Sequence, residues 1–275
     1  MIEIDLSDKV ALVTGGTRGI GLASAKALGA AGAQCVMTYR WGSADLDEIR
    51  ADFDALGAPE PMLEMADVSH TEDTEALMER IKERRGGVDI FINNVAFAAR
   101  TPELSSYRKR SLFKSLEYSA WPLVEYVEAA HDICGRYPEY VVAISSDGIE
   151  RSYPGYDFVA ASKSVLEVLT RYMGSHLGEQ GCRVNAVRFG MVATESFEAM
   201  FGEQIWDFFA EEGIERSDLL SPQECGRTVL ALCSGLLDAM QSEVITVDRA
   251  MAFEDNMMRR YERWKRQMTD DLQKE

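Results

Sequence analysis

Basic residues are scarce in this chain. Its 275 residues include 29 lysines and arginines against 46 aspartates and glutamates, a net charge of −17. So acidic a surface repels DNA, RNA and anionic membranes, which excludes them as expected partners. Long hydrophobic runs are missing too. No apolar stretch approaches the ~18 residues of a membrane helix, and Met1–Asp5 has none of the basic character that opens a secretory signal. Cysteine is sparse: Cys35, Cys134, Cys182, Cys225 and Cys233 form no CxxC pair and no cluster with histidine. Disulfide scaffolds and zinc sites are thereby disfavoured, and no metal is expected. The three histidines, His70, His131 and His176, have neither a triad partner nor metal spacing. No Pro/Gly/Ser-rich linker and no internal repeat divides the chain. These absences leave a reduced, cytoplasmic, soluble protein as the expectation.

What is present is an alternation of short β-branched runs with helical stretches. Residues 9–14, 34–39, 61–66, 88–93, 140–145, 182–187 and 243–247 read as strands. Residues 20–31, 46–56, 72–85, 112–134, 158–178 and 222–236 read as helices, the fourth of these as one long helix. Strands separated by helices imply an α/β fold, a doubly wound parallel sheet of the Rossmann type, in one domain over 1–250. Two segments break the rhythm. Within 195–215, Phe197, Phe201, Trp206, Phe208 and Phe209 interleave with acidic residues. This reads equally as a surface helix pair packing its own aromatics and as a lid over a substrate pocket. In the tail, 251–275, Phe253, Met257, Tyr261, Trp264, Met268 and Leu272 fall on one helix face. A helical extension packing across a homo-oligomer contact is expected.

The chemistry begins at Thr14-Gly-Gly-Thr-Arg-Gly-Ile-Gly21, between the first strand and first helix. Gly15, Gly19 and Gly21 allow a tight turn and let backbone N–H groups and a helix N-terminus approach a pyrophosphate. This segment resembles the glycine motif of the short-chain dehydrogenase/reductase superfamily. Asn93-Asn94-Val95-Ala96 resembles the Asn-Asn-Ala-Gly that follows that family's fourth strand. Asp67-Val68 is similar to the pair that frames the adenine, and Ser146 and Lys163 fall where the family has its catalytic serine and lysine. The resemblance implies cofactor contacts at Gly15, Thr17, Arg18, Gly19, Ile20, Gly21, Asp67, Val68, Asn94 and Lys163. It also implies one at Thr194, whose hydroxyl would hold the nicotinamide carboxamide.

The family's usual Tyr-x-x-x-Lys is absent, because Val159 stands four before Lys163. Tyr156 stands seven before it, on the same helical face and about one turn farther away. Such a donor suits an enoyl thioester, in which hydride goes to Cβ while charge develops on the more distant carbonyl oxygen. Tyr-x6-Lys resembles the enoyl-acyl-carrier-protein reductase branch, as do Gly148, Glu150, Arg151, Pro154 and Tyr156 at matching spacing. Ser146, where many members of the branch have a second tyrosine, is similar to an NADPH-dependent subset. Departures are Phe189 for a proline, Tyr118 near the place of a structural asparagine, and Asp248-Arg249-Ala250 for Asp-Gly-Gly.

NAD readers carry an acid at the end of the second strand. Thr38-Tyr39-Arg40 has none, and Arg40 with Arg18 can pair with a 2′-phosphate, so NADPH is the expected cofactor. The catalytic set expected is Tyr156, Lys163 and Ser146, acting on an acyl thioester carried by coenzyme A or an acyl carrier protein. A cluster at Arg108, Lys109, Arg110 and Lys114 reads as a solvated face or as a dock for such a carrier. A ketoreductase or tailoring reductase of a polyketide-like pathway, and a non-catalytic NADP(H)-binding protein, remain as alternatives.

Overall fold

The computed structural model describes residues 4–40 and 44–254, with 258, 261 and 265. In chain order the elements are β1 (Val10–Val13), α1 (Gly19–Ala30), β2 (Gln34–Tyr39), α2 (Leu46–Ala55), β3 (Met62–Met65), α3 (Thr71–Arg85) and β4 (Ile90–Asn93). They continue with α4 (Lys109–Ser119), α5 (Pro122–Cys134), β5 (Tyr140–Ser146), α6 (Asp157–Leu177), β6 (Arg183–Phe189), α7 (Glu195–Phe201), α8 (Ile205–Glu211), α9 (Pro222–Leu232), β7 (Val244–Val247) and α10 (Met251–Glu254).

The seven strands form one sheet in the order β3-β2-β1-β4-β5-β6-β7, with every neighbour parallel. Parallel neighbours need crossovers, and the crossovers place helices on both faces. The central strands therefore read as unbroken apolar runs: every residue of β1 and β4 is buried. Leu77, Leu123, Tyr126 and Leu166 of α3, α5 and α6 build the core on one face. Leu28, Phe53 and Val229 of α1, α2 and α9 build it on the other. Strand order reverses between β1 and β4, and a crevice opens outside the carboxyl ends of the strands there, the usual place for a ligand in such sheets. Among the described residues no helix is long and apolar enough to cross a membrane.

The helix expected over 112–134 is two helices. It starts earlier, at Lys109, and breaks between Ser119 and Pro122. Proline has no N–H to give and its ring would collide with the carbonyl four residues back, whereas at the first turn of a new helix its fixed φ is favourable. The amides of Ala120 and Trp121 both turn back to the Leu116 carbonyl at 3.0 Å. The helix expected to reach residue 236 ends at Leu232, where the chain turns toward Gly235 at φ 81°.

After β7, Arg249 and Ala250 both take left-handed conformations, φ 54° and 62°, where the resemblance would put glycines. Such residues cost energy unless their surroundings hold them. Asp248 accepts from the amides of Ala250 and Ala252 at 2.9 Å, and the Arg249 guanidinium bonds Glu224 and the Ser217 carbonyl. Of the expected tail stripe, Met257, Trp264, Met268 and Leu272 lie outside the described residues.

Candidate active site

The crevice is a cleft of about 590 Å³. Its first wall is the glycine-rich turn. Gly15 and Gly19 have φ 61° and 54°. A Cβ on Gly21 would sit 2.4 Å from the Gly15 carbonyl oxygen and 2.6 Å from Asn94 Nδ2. Asn94 Nδ2 ties the turn down by donating to the carbonyls of Thr14 and Gly15 at 3.0 and 3.2 Å. The N-terminus of α1 opens just beyond, with no acidic residue in its first turn. A side-chain-free cradle against open helix N–H groups fits the pyrophosphate of a dinucleotide.

The second wall comes from β5 and α6. Ser146 ends β5, and its hydroxyl accepts from the Gly148 amide at 3.2 Å. Tyr156 sits at the N-cap of α6. Its ring occupies the space beside Gly148, where a Cβ would lie 2.6 Å from two ring carbons. Burial pushes the Tyr156 phenol up from its ordinary value; the Ser146 hydroxyl works against that shift and the Asp147 carboxylate adds to it. Lys163 is buried, and its Nζ donates to the Ile144 carbonyl at 2.6 Å. Burial brings its pKa down to about 8, opposed by Glu167 one turn along α6. Glu167 is itself held by Arg188 of β6, at 3.0 and 2.7 Å, and by the Ser145 hydroxyl at 2.7 Å. Arg188 also bonds Glu150. A bidentate buried ion pair thus backs the strand and helix that present Ser146 and Lys163. Thr194 lines the cleft while its Oγ1 caps α7 by accepting from the Phe197 amide at 3.2 Å.

Nine of the expected site residues line this cleft: Gly15, Arg18, Gly19, Ile20, Asn94, Ser146, Tyr156, Lys163 and Thr194. Thr17, Gly21, Arg40, Asp67 and Val68 do not. Gly21 is packed behind the turn and Val68 lies in the core. Arg40 and Asp67 meet beyond the ends of β2 and β3, as an ion pair at 2.5 Å. Tyr118, from α4, joins this pair. Its hydroxyl accepts from Arg40 and donates to Asp67 at 3.3 Å, so it belongs to this ion-paired corner. The neighbouring Ser119 points inward instead, accepting from the Phe97 amide at 3.0 Å.

Asp147 and Arg100 line the cleft without having been singled out in the sequence, and Tyr153, a second tyrosine three residues before Tyr156, lines it too. Asp147 accepts from the Tyr153 hydroxyl at 2.8 Å and pairs with Arg151 at 3.7 Å; burial raises its pKa. The Tyr153 ring stands edge-on to Tyr156 and also to Phe201, both at 5.9 Å. The partners of Asp147 are local in sequence, whereas Arg100 comes from the loop after β4 and is brought to the cleft only by the assembled fold. In the aromatic segment, Phe197 packs on Trp206 and Phe209, while Ser196, Phe197, Met200 and Phe201 also line the cleft. Of the basic cluster, Arg108 is spent on the carbonyls of Ser105 and Tyr107, and Lys114 lies 4.4 Å over the Phe97 ring.

Residues 15–251 match the family model described as "Enoyl-(Acyl carrier protein) reductase". The chain is 29% identical over 256 residues to the enoyl-(acyl-carrier-protein) reductase (NADH) FabI of Nostoc sp. (strain PCC 7120), a match covering 89% of this chain and 96% of that one. It is 30% identical over 196 residues to the 1-cyclohexenylcarbonyl-CoA reductase of Streptomyces collinus, covering 70% and 68%. The solved structure of a short chain dehydrogenase from Burkholderia cenocepacia J2315 in complex with NADP superposes with a TM-score of 0.77 at 25% identity, over 89% of this chain and 98% of that one.

Proposed function

Because the chain belongs to the short-chain dehydrogenase/reductase superfamily, in its enoyl-(acyl carrier protein) reductase family, we propose that it reduces the carbon–carbon double bond of an enoyl thioester with NADPH. The observation that carries this reading is the pairing of Tyr156 with Lys163 in one cleft, with Ser146 beside the phenol. Val159, four before Lys163, is buried against the cleft and has no hydroxyl to donate.

When bound, the reduced nicotinamide supplies a hydride. Gly15, Gly19 and the α1 N-terminus hold the pyrophosphate, and the Thr194 hydroxyl and Lys163 orient the nicotinamide half. Tyr156 donates a hydrogen bond to the thioester oxygen and stabilises the enolate that develops there. Lys163 keeps positive charge near the phenol, and Ser146 fixes its hydroxyl. The 195–215 segment is a lid, because Phe197, which packs α7 on α8, and Phe201 also line the cleft. The lack of an acid at the end of β2 and the exposed Arg18 at the cleft support NADPH over NADH. The relatives differ here, since the Nostoc enzyme's name specifies NADH and the Burkholderia structure holds NADP. Val165, Val168 and Tyr172, exposed on one face of α6, support a homo-oligomer. The free cysteines suit a reducing compartment such as the cytoplasm.

The test follows nicotinamide oxidation with crotonyl and 3-oxobutyryl thioesters, each with NADPH and NADH. Turnover of the crotonyl thioester, faster with NADPH, is expected. Turnover of the 3-oxo thioester alone would make the protein a ketoreductase, and tight NADPH binding without turnover would make it a binding protein. Tyr156→Phe is expected to lower kcat roughly 100-fold, with the NADPH Kd little changed, since the lost bond forms mainly to the developing enolate.

A further inference from the structure

Lys163 and Glu167 stand four residues apart on α6, the spacing at which opposite charges on a helix ordinarily meet. Both are buried, yet they do not pair. Lys163 Nζ goes to the Ile144 carbonyl, and the Glu167 carboxylate is drawn to the sheet instead. There Ser145 of β5 and Arg188 of β6 stand opposite each other in register, so both side chains leave the same face, the one that α6 covers. Arg188 Nε and the Ser145 hydroxyl share one carboxylate oxygen at 3.0 and 2.7 Å, and Arg188 Nη2 takes the other at 2.7 Å. With both oxygens held, the carboxylate stays off the lysine. Arg188 Nη1 reaches Glu150, so the same guanidinium ties down the loop that leads to Tyr156.

The other charged and titratable groups around Lys163 have separate places. Asp147, in the turn after β5, accepts from Tyr153 and pairs with Arg151. Lys114 of α4 lies over Phe97. Arg100, from the loop after β4, and the Tyr156 phenol line the cleft. Glu167 is the neighbour whose charge opposes the effect of burial on Lys163. Whatever holds that carboxylate therefore bears on the charge of the lysine.

We propose that Arg188 is a positioning residue for Lys163: by holding Glu167 against the sheet, it leaves the ammonium free of a carboxylate and available to the cofactor. Neither Arg188 nor Glu167 lines the cleft, so each acts only through the lysine. The inference rests on the cofactor role read for Lys163 above. The experiment follows the titration of Lys163 in the full chain, without cofactor or substrate, by the ¹³Cε shift of labelled lysine; the signal missing from Lys163→Met identifies it. Arg188→Met releases the carboxylate toward the lysine, so the titration is expected to move up by about one pH unit or more. The NADPH Kd is expected to weaken roughly tenfold, as a carboxylate competes for the ammonium. Glu167→Gln removes the carboxylate and leaves the guanidinium, so the titration is expected to move down. Arg188→Lys still offers the carboxylate a cation and should restore most of the NADPH affinity. A merely structural ion pair would lower the melting temperature in both Arg188→Met and Glu167→Gln without moving the titration in opposite directions. Titrations that stay in place, or that move together, overturn the proposal. Should Arg188→Met not fold, Arg188→Gln, which keeps a donor without the charge, takes its place with the same upward move expected. The pH at which kcat/KM falls should follow the titration in each variant. Absence of turnover on every thioester would count against the enoyl-thioester reading, while the titration still decides the role of Arg188.

Discussion

Lys163 is a buried amine whose Nζ meets a backbone carbonyl, with its carboxylate neighbour a turn away and committed to Arg188. Burial depresses its pKa to about 8 from an ordinary 10.5. Below pH 8 the group is charged in both folded and unfolded chains, and folding bears the cost of burying the charge. That cost is relieved as pH rises from 8 toward 10.5, where only the unfolded chain still binds the proton. Activity runs the other way, because the proposed role needs the charge. We expect kcat/KM to fall as pH rises through about 8, and a falling limb that persists in Lys163→Met would belong to another group. Lys163, Tyr156 and Ser146 were legible because a local motif names them: seven residues on one helical face, with Gly148 at the spacing that seats the ring. Arg40 was expected as a reader of the 2′-phosphate, and its pairing with Asp67 and Tyr118 was not legible. Those residues lie 27 and 78 positions away, and only the sheet brings them together.

Among the elements, strands and crossover helices followed from their buried runs, because a parallel sheet covered on both faces leaves little room for polar residues. The break between α4 and α5 was less visible. The apolar pattern runs through Pro122 without interruption, and the backbone chemistry of one ring decides the boundary. The contact of α1 with α9 was not legible at all. There Gly226 lets the helices touch: a Cβ on it would lie 2.3 Å from the Ala23 carbonyl oxygen, a backbone atom that cannot rotate away. Since α1 carries the glycine turn at its N-terminus, its seat on α9 also sets the cradle. Gly226→Ala is expected to force the helices apart, at about 1–3 kcal/mol. The measurable result is a melting temperature lower by several degrees, with weakened NADPH binding. An unchanged melting curve would mean that the two helices have slack between them.

For the whole molecule, the apolar face of α6 is the feature that water does not explain. Tyr172 is 66% exposed and Val168 53% exposed, on the same side as Val165. A second copy covering this face would remove apolar area that the fold leaves wet. Tyr172→Asp is then expected to reduce the mass measured by light scattering from an oligomer to a monomer at micromolar concentration. A monomer before substitution would remove the face from consideration. The sequence signalled association through its tail, and α6 gave no such sign, because its outward residues alternate with charged ones.

The pairing of Arg40 with Asp67 has a consequence for any anion that would use this guanidinium. The corner holds its own internal competitor: a carboxylate occupies the guanidinium, and Tyr118 steadies both. Any incoming anion that uses Arg40 must displace or share that contact, so its apparent affinity is reduced by the fraction of time the internal pair is closed. Weak anions such as chloride or a lone carboxylate gain little by opening it. A doubly charged, hydrogen-bonding group gains more. If Arg40 reads a 2′-phosphate, the ion pair would act as a threshold, passing over feeble anions and yielding to one that binds with both charge and geometry.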